Sequence, residues 1–334
     1  MLRAEAQSIS QIIFIDWRPH NRRAKSLARD IGAQLYLAPE ILRKRIYAPI
    51  RYVFLLFWTV IVLLRSRPRV IIASAPPPFC PIIVFAYTRL FNSAYIVDTS
   101  HLATVGYWSK IPFGFWFNKM VMNKGLITLV HNEFIKKLTD KQGIRSIVLE
   151  TKVPELQTME KKYIGNKFSV MVPCSFDPNE PIDEIYKAAG MMSETIFFVA
   201  GDYSRLNKTF LQTCPANVTM TGFLHGKDYD IMMNSVDAVL VLITDDYPVR
   251  PRGASEAIAS QKPLIVSQNQ ATQNHLDKGT VLVNNTKEQI VQAVLMIKNN
   301  YGKYQSEMKQ LKGERLFQYK LELQALKDLI RGKE

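Results

Sequence analysis

Short apolar runs alternate with segments of helical period along the whole chain, and they do so in two successive series. In the first half the apolar runs fall at 11–15, 34–38, 69–75, 94–98 and 126–131, with a weaker one at 147–150. Helical segments at 22–31, 49–65, 81–91, 115–123 and 132–142 separate them. Strands of this length separated by helices form βαβ units and hence parallel sheets. A polar stretch at 152–167, with Glu160-Lys161-Lys162 at its centre, has no apolar period and reads as a linker. The pattern then restarts, with strands predicted at 168–173, 196–200, 217–221, 238–243, 264–267 and 281–283. Helices are predicted at 182–190, 227–235, 253–260, 271–276, 287–299 and, long and charged, 304–330. The expectation is an α/β protein of two tandem Rossmann-like, doubly wound parallel-sheet domains, 1–160 and 161–334, with a cleft between them. At 334 residues the chain has the length for both.

The densest signal is Arg250-Pro251-Arg252-Gly253-Ala254-Ser255-Glu256, between the predicted strands at 238–243 and 264–267. Open α/β sheets bind ligands at such strand-to-helix loops. Arg250 and Arg252, a glycine that admits close backbone approach and the free N–H groups of a helix start make an anion site. Glu256, one turn in, suits ribose hydroxyls, and an anion site beside a ribose acceptor is a site for a nucleotide diphosphate. The alternative is a solvated loop with a surface glutamate. Ser175-Phe176-Asp177 and Gly201-Asp202-Tyr203-Ser204 follow the first two strands of the same series and face the same rim, where Tyr203 can stack on a base. No G-x-G-x-x-G and no G-x4-G-K-[ST] sequence occurs, and no His, Cys and carboxylate cluster has metal-ligand spacing.

The net charge of +14 lies entirely in the first half: residues 1–166 hold 24 Lys and Arg against 10 Asp and Glu, and the remainder holds 19 of each. Trp17, Trp58, Trp108 and Trp116 lie in that half too. Basic residues interleaved with Trp and apolar runs point to an anionic membrane surface rather than to nucleic acid, for which no motif is visible. Tyr52 to Leu64 carries no charge, with Arg51 before it and Arg65, Arg67 and Arg69 after it. As a helix it is about 20 Å long, against about 30 Å for a bilayer core. That favours a helix lying in the membrane interface; a buried sheet-packing helix and a short spanning helix are the alternatives. Trp108, Phe113, Phe115, Trp116 and Phe117 around Lys110 suit a headgroup zone or a lipid-linked acceptor, or else form an aromatic core. Met1–Ser10 lacks the apolar core of a signal peptide, and the unpaired count of cysteines, Cys80, Cys174 and Cys214, fits a reducing compartment. The expected location is the cytoplasmic face of the cell membrane.

Asp98 and His101 leave the fourth strand together, with Asp98 placed to act as a base or to orient His101. His20 with Arg18, Arg22 and Arg23 follows the first strand and reads either as a phosphate receiver or as a solvated charge run.

With these residues in hand the chain resembles glycosyltransferases of the two-Rossmann-domain GT-B fold, most of all the retaining family four and its bacterial envelope-polysaccharide members. The likeness covers nearly the whole chain. It is strongest at Pro215 to Phe223, at Asp237-Ala238 and at Ser255 to Pro263, with Ile71–Pro78 and Ile96–His101 similar in the first half. The resemblance implies a hexosyltransferase-type, metal-independent transfer, with a nucleotide-diphosphate sugar bound by the second domain and the acceptor by the first. It implies that Glu256 contacts the ribose and the amides near Gly253 the diphosphate, the nucleotide sugar being a substrate and no cofactor being used. The acceptor expected on the charge pattern is lipid-linked or an envelope glycan. Asp98 or His101 is expected to handle its hydroxyl. The chain departs from the family at Pro248, where the first Glu of a Glu-x7-Glu motif stands, with Asp245 and Asp246 nearby, and at Ser175-Phe176-Asp177, in place of a basic pair. A nucleotide-sugar epimerase and a non-catalytic partner of the same fold are the alternatives.

Overall fold

The computed structural model describes residues 11–41, 44–99, 114–244, 251–273 and 275–332. It divides into two compact units, Met1–Lys152 with Gln318–Glu334, and Val153–Phe317. The sequence placed the whole of the last helix with the second series; its end groups with the first.

In the first unit the strands are β1 (Ile12–Asp16), β2 (Gln34–Leu37), β3 (Val70–Ala75), β4 (Ala94–Thr99), β5 (Thr128–Val130) and β6 (Ser146–Val148). They form one parallel sheet in the order β2-β1-β3-β4-β5-β6. The chain runs outward one way from β1 and the other way from β3, so the switch point lies between their C-terminal ends. Every residue of β3 is buried, as a parallel strand covered on both faces must be, which explains its unbroken apolar run. One face is covered by α1 (Arg22–Ile31), capped by Asn21 accepting from the Ala24 amide at 3.2 Å and ended by Gly32 at φ 72°. On that face Tyr319, Leu326 and Ile330, from the end of the last helix, pack with Phe14, Ile72 and Leu129. The Tyr319 hydroxyl donates to Asp30 at 2.9 Å.

The other face carries α2 (Ala48–Ser66), α3 (Phe79–Leu90) and α4 (Gly114–Lys124). Leu55, Thr59, Val62 and Leu63 of α2 are buried. Thr59, the lone threonine of the apolar run, faces inward and accepts from Trp17 Nε1 at 2.9 Å. Trp58 is half-buried on the same core. The opposite side is an exposed apolar stripe of Ile50, Val53, Phe54, Phe57, Ile61 and Leu64, with Phe57 62% exposed. That spacing is one helical face. The fully buried helix is therefore excluded for α2. Arg51 lies 5.7 Å over the Tyr52 ring, and Trp116 on α4 is 64% exposed. Trp108 lies outside the described residues.

The second unit holds β7 (Phe168–Pro173), β8 (Thr195–Ala200), β9 (Val218–Gly222), β10 (Ala238–Val241), β11 (Leu264–Ser267) and β12 (Thr280–Val283). Their parallel order is β12-β11-β10-β7-β8-β9, with the switch point between β7 and β10. The helices are α5 (Glu133–Lys141) in the first unit, then α6 (Ile182–Gly190), α7 (Lys208–Gln212), α8 (Gly226–Ser235), α9 (Arg252–Ser260), α10 (Gln270–Gln273), α11 (Lys287–Asn299) and the long α12 (Tyr301–Arg331). Apolar side chains of α6, α11 and the start of α12 cover one face, and those of α8, α9 and Met308 and Leu311 of α12 the other.

Lys262, in the turn from α9 to β11, is buried, and its ammonium donates to the Val236 carbonyl at 2.6 Å. Burial, with repulsion from Lys161, pushes its pKa down from 10.5 to about 8. Between those two values the unfolded chain holds a proton that the folded chain has released, so stability rises with pH across that window. Lys262→Met is thus expected to stabilise the protein at pH 7 by about 2 kcal/mol, after loss of the Val236 bond is counted. The gain shrinks to nothing as the pH approaches 10.5. Urea unfolding of both proteins at pH 7 and pH 10 checks this; a variant destabilised at pH 7 means that the ammonium is hydrated.

Candidate functional site

The site is built at the switch point of the second sheet. The chain leaves β7 through Cys174–Pro181, with Phe176 in the left-handed region at φ 57°. There the Glu180 carboxylate is ringed by donors from its own loop. One oxygen accepts from the Ser175 amide at 2.8 Å, the Ser175 hydroxyl at 3.0 Å, the Asp177 amide at 3.2 Å and the Cys174 thiol at 3.2 Å. Burial, reinforced by Glu180, pushes the Cys174 thiol pKa far up, so it stays a neutral donor. Adjacent backbone amides turned inward make an anion cup, and here the chain's own carboxylate fills it.

Gly201, after β8, seals this loop. A Cβ there would stand 1.9 Å from the Cys174 carbonyl oxygen and 2.9 Å from Cε2 of Phe176, so no other residue fits. Thr244, after β10, donates from its amide to the Asn179 carbonyl at 2.7 Å. The loops after β7, β8 and β10 thus form one hydrogen-bonded and packed rim.

Helix α9 starts on that rim. Pro251 at its N-cap offers no side-chain bond, so the first-turn amides have no cap from that residue. Gly253 is required for a reason different from the one read in the sequence. A Cβ on it would stand 2.8 Å from Cγ2 of Val241 and 3.4 Å from Cγ of Pro173, so the glycine seats the helix against β10 and β7. Glu256 is 5% exposed. Its Oε1 accepts from Arg252 Nε at 2.9 Å and its Oε2 from the Tyr229 hydroxyl at 2.5 Å. The carboxylate is fixed in orientation, with an exposed Arg252 beside it at the positive end of the helix. Tyr203 is part-exposed in the short turn after β8, stabilised by the Asp202 carboxylate accepting from the Ser204 amide. Arg250 lies outside the described residues.

The structure therefore brings Ser175, Gly253 and Glu256 to one rim and adds two residues the sequence reading missed, Tyr229 and Glu180. Tyr229 lies on a different helix, 27 positions from Glu256. No spacing rule links them. Glu180 carried a weak signal: a carboxylate just before the apolar face of α6 is a common helix-start residue, and nothing local marks it as a ligand of the loop behind it.

At the C-terminal rim of the first sheet the carboxylates are already paired. Asp16 is fully buried and accepts from Arg18 Nε and Nη2, both at 2.9 Å, and from the Ser74 hydroxyl at 2.9 Å, with the Asn21 amide alongside. Asp98, 2% exposed, accepts from Arg23 Nη2 at 2.9 Å and Nε at 3.1 Å. Burial acts to raise the Asp98 carboxyl, but the Arg23 guanidinium, with His131 behind it, outweighs that and holds it below the ordinary range. A buried carboxylate held through two guanidinium nitrogens has its oxygens committed to Arg23. The geometry makes Asp98 the anchor of Arg23, and Arg18 and Arg23, whose loop reads in the sequence either as a phosphate receiver or as a solvated charge run, are both paired with buried aspartates. His20 pairs with Glu40 at 2.9 Å. His101 lies outside the described residues. Among the described residues no group of three or more His, Cys, Asp or Glu is placed to hold a metal ion.

No family model matches the chain, and no curated protein matches it. Solved structures do. Sucrose-phosphate synthase of Thermosynechococcus elongatus superposes with a TM-score of 0.75 at 10% identity, over 96% of this chain and 98% of that one. HepE of Anabaena, solved with UDP and glucose, gives a TM-score of 0.70 at 11% identity, over 96% and 99%. A Listeria monocytogenes protein described as a UDP-N-acetylglucosamine 2-epimerase gives 0.64 at 10% identity, over 89% and 90%. At such identities the likeness is one of fold. The two parallel six-stranded sheets, each flanked by helices, are the two Rossmann-like domains of the GT-B fold, and this chain has that fold.

Proposed function

We propose that the protein is a glycosyltransferase that takes a sugar from a nucleotide-diphosphate donor bound at the second unit's switch point and passes it to a lipid-linked or envelope-glycan acceptor at a membrane surface. The observation that carries this is the buried, oriented Glu256 carboxylate one turn into a helix whose N-terminus lies at the β7/β10 switch point. Glu256 accepts from ribose hydroxyls. Arg252 and the first-turn amides of α9 meet the diphosphate and stabilise the charge that grows on it as the glycosidic bond breaks. Ser175 and the loop amides after β7 border the same anion path, and Tyr203 stacks on the base. HepE, of like fold, was solved with UDP and with UDP-glucose, which supports a donor of this class here. The exposed stripe of α2, bracketed by Arg51, Arg65 and Arg67, supports a domain that rests on lipid. Its inward side is built into the core through Leu55, Thr59 and Leu63, which favours lying in the interface over spanning it.

Two observations favour other readings. The likeness to the described epimerase allows a nucleotide-sugar epimerase. Glu180, filling the anion cup, allows a partner that holds the fold without turnover. Incubation with UDP- and GDP-sugars, followed by assay of free nucleoside diphosphate and of sugar configuration, separates the three. The proposal predicts slow release of nucleoside diphosphate with water as acceptor, rising at least tenfold with a lipid-phosphate acceptor. Epimerised sugar identifies the second reading. Absence of any product, with nucleotide bound, identifies the third.

A further inference from the structure

The first unit holds a second, unrelated concavity. At the N-terminal edge of its sheet, opposite the rim that carries Asp98, lies a cavity of about 630 Å³. Four cations stand around it: Arg69 just before β3, Arg89 in the last turn of α3, Lys124 at the end of α4 and Arg145 just before β6. Tyr95 and Ser93 contribute to its floor, and no aspartate or glutamate lines it. A volume in this range is that of a ligand pocket.

Helix dipoles account for two of these cations, since Arg89 and Lys124 sit at helix C-termini, where positive charge is favoured. Arg69 and Arg145 lie in the turns that lead into β3 and β6. Four like charges focused on one concavity repel one another and attract an anion. Arg145 donates to the Leu126 carbonyl, and a guanidinium with five donors keeps others for an oxyanion. The next residues after Arg89, Leu90 at 81% exposure and Phe91, are exposed apolar side chains. The helices α3 and α4 that frame the pocket lie on the same sheet face as α2, with its outward apolar stripe.

We propose that this pocket binds a phosphate group, and that its source is the headgroup of an anionic phospholipid whose acyl region meets Leu90 and Phe91. The site is separate from the donor site and rests on the reading that the α2 face meets a membrane. It would fix how the domain is rotated on the lipid surface, where the α2 stripe alone fixes only that it adheres.

The test measures binding of the full chain to phosphatidylcholine vesicles and to vesicles containing phosphatidylglycerol. It also measures thermal stability in inorganic phosphate against chloride at equal ionic strength. The Arg89→Gln/Lys124→Gln variant is expected to bind anionic vesicles about tenfold more weakly and phosphatidylcholine unchanged. The Arg51→Gln/Arg65→Gln variant, of equal charge and on the same face, is expected to lose less than threefold. Phosphate is expected to raise the melting temperature of the wild type by more than that of the pocket variant, whose donor-site anion groups are intact. Equal loss in both variants means diffuse surface charge and overturns the pocket. A phosphate effect without headgroup preference overturns the lipid source and leaves a soluble phosphate. No phosphate effect and no preference overturn the site altogether. Phe57→Glu judges the membrane reading separately: it should abolish binding to both vesicles, and unchanged binding refutes that reading while the phosphate arm still decides the pocket.

Discussion

Arg23→Met is expected to destabilise the first unit by about 3–5 kcal/mol, because it strands the Asp98 carboxylate in the interior without its partner. The pair is almost fully enclosed, at 9% and 2% side-chain exposure, and the guanidinium reaches the carboxylate through both Nε and Nη2. An exposed pair is worth about 1 kcal/mol or less, so the size of the loss reports the burial directly. The double replacement Arg23→Met/Asp98→Leu is expected to recover most of the loss, since an apolar pair of similar volume removes both desolvation penalties at once. The contribution also has a pH signature. The folded-state pKa of Asp98 lies below its ordinary value of 3.8, so the stabilisation is complete above that pH and is lost as the pH falls through the folded value. Urea unfolding of the three proteins, repeated at pH 7 and pH 3, checks both points. A single-variant loss under 1 kcal/mol would mean that Asp98 is hydrated, and the role of base would return to it.

That case shows where a sequence stops being legible. A carboxylate at the C-terminal end of a strand reads the same whether it opens onto a substrate or is clamped by a guanidinium 75 positions away. The expectation for Asp98 and His101 rests on their adjacency in sequence; among the described residues, the partner of Asp98 is set by the packing of α1 against the sheet. The strands were legible because burial on both faces leaves no alternative to unbroken apolar runs such as Val70–Ala75. Helix ends were legible where one residue does the capping, as Asn21, Asn132 and Thr286 do. Helix α7 and the turns at Arg45–Tyr47 and Tyr203–Arg205 are too short to show a period in the sequence.

The candidate site was legible in part for the same reason. Strand-to-loop logic puts Ser175, Gly253 and Glu256 on one rim, because a parallel sheet sends all its C-termini to one edge. What α9 is held by does not follow from that logic. Gly253 serves close packing on Val241 and Pro173, and Glu256 is oriented by Tyr229 from α8. The apolar stripe of α2 was half legible. The segment is apolar nearly all round, so only the structure separates the inward side, Leu55, Thr59 and Leu63, from the outward one, Val53, Phe57 and Leu64.

Removal of the Glu256 carboxylate, the proposed nucleotide ligand, is expected to have the second large effect. Hydrogen bonds to a charged group contribute about 1.5–3 kcal/mol each, so Glu256→Gln should weaken nucleoside diphosphate binding about tenfold to a hundredfold. A ligand present at about 100 times its dissociation constant stabilises the folded state by about 2.7 kcal/mol, and that gain disappears in a variant whose affinity has fallen so far. The most direct measurement is the melting temperature of wild type and Glu256→Gln across concentrations of UDP, GDP and ADP. One of the three is expected to raise the melting temperature of the wild type and leave the variant unmoved, while both proteins respond alike to inorganic phosphate, whose proposed pocket lies in the other unit. If none stabilises the wild type at millimolar concentration, or if the variant responds as strongly as the wild type, Glu256 is not a nucleotide ligand.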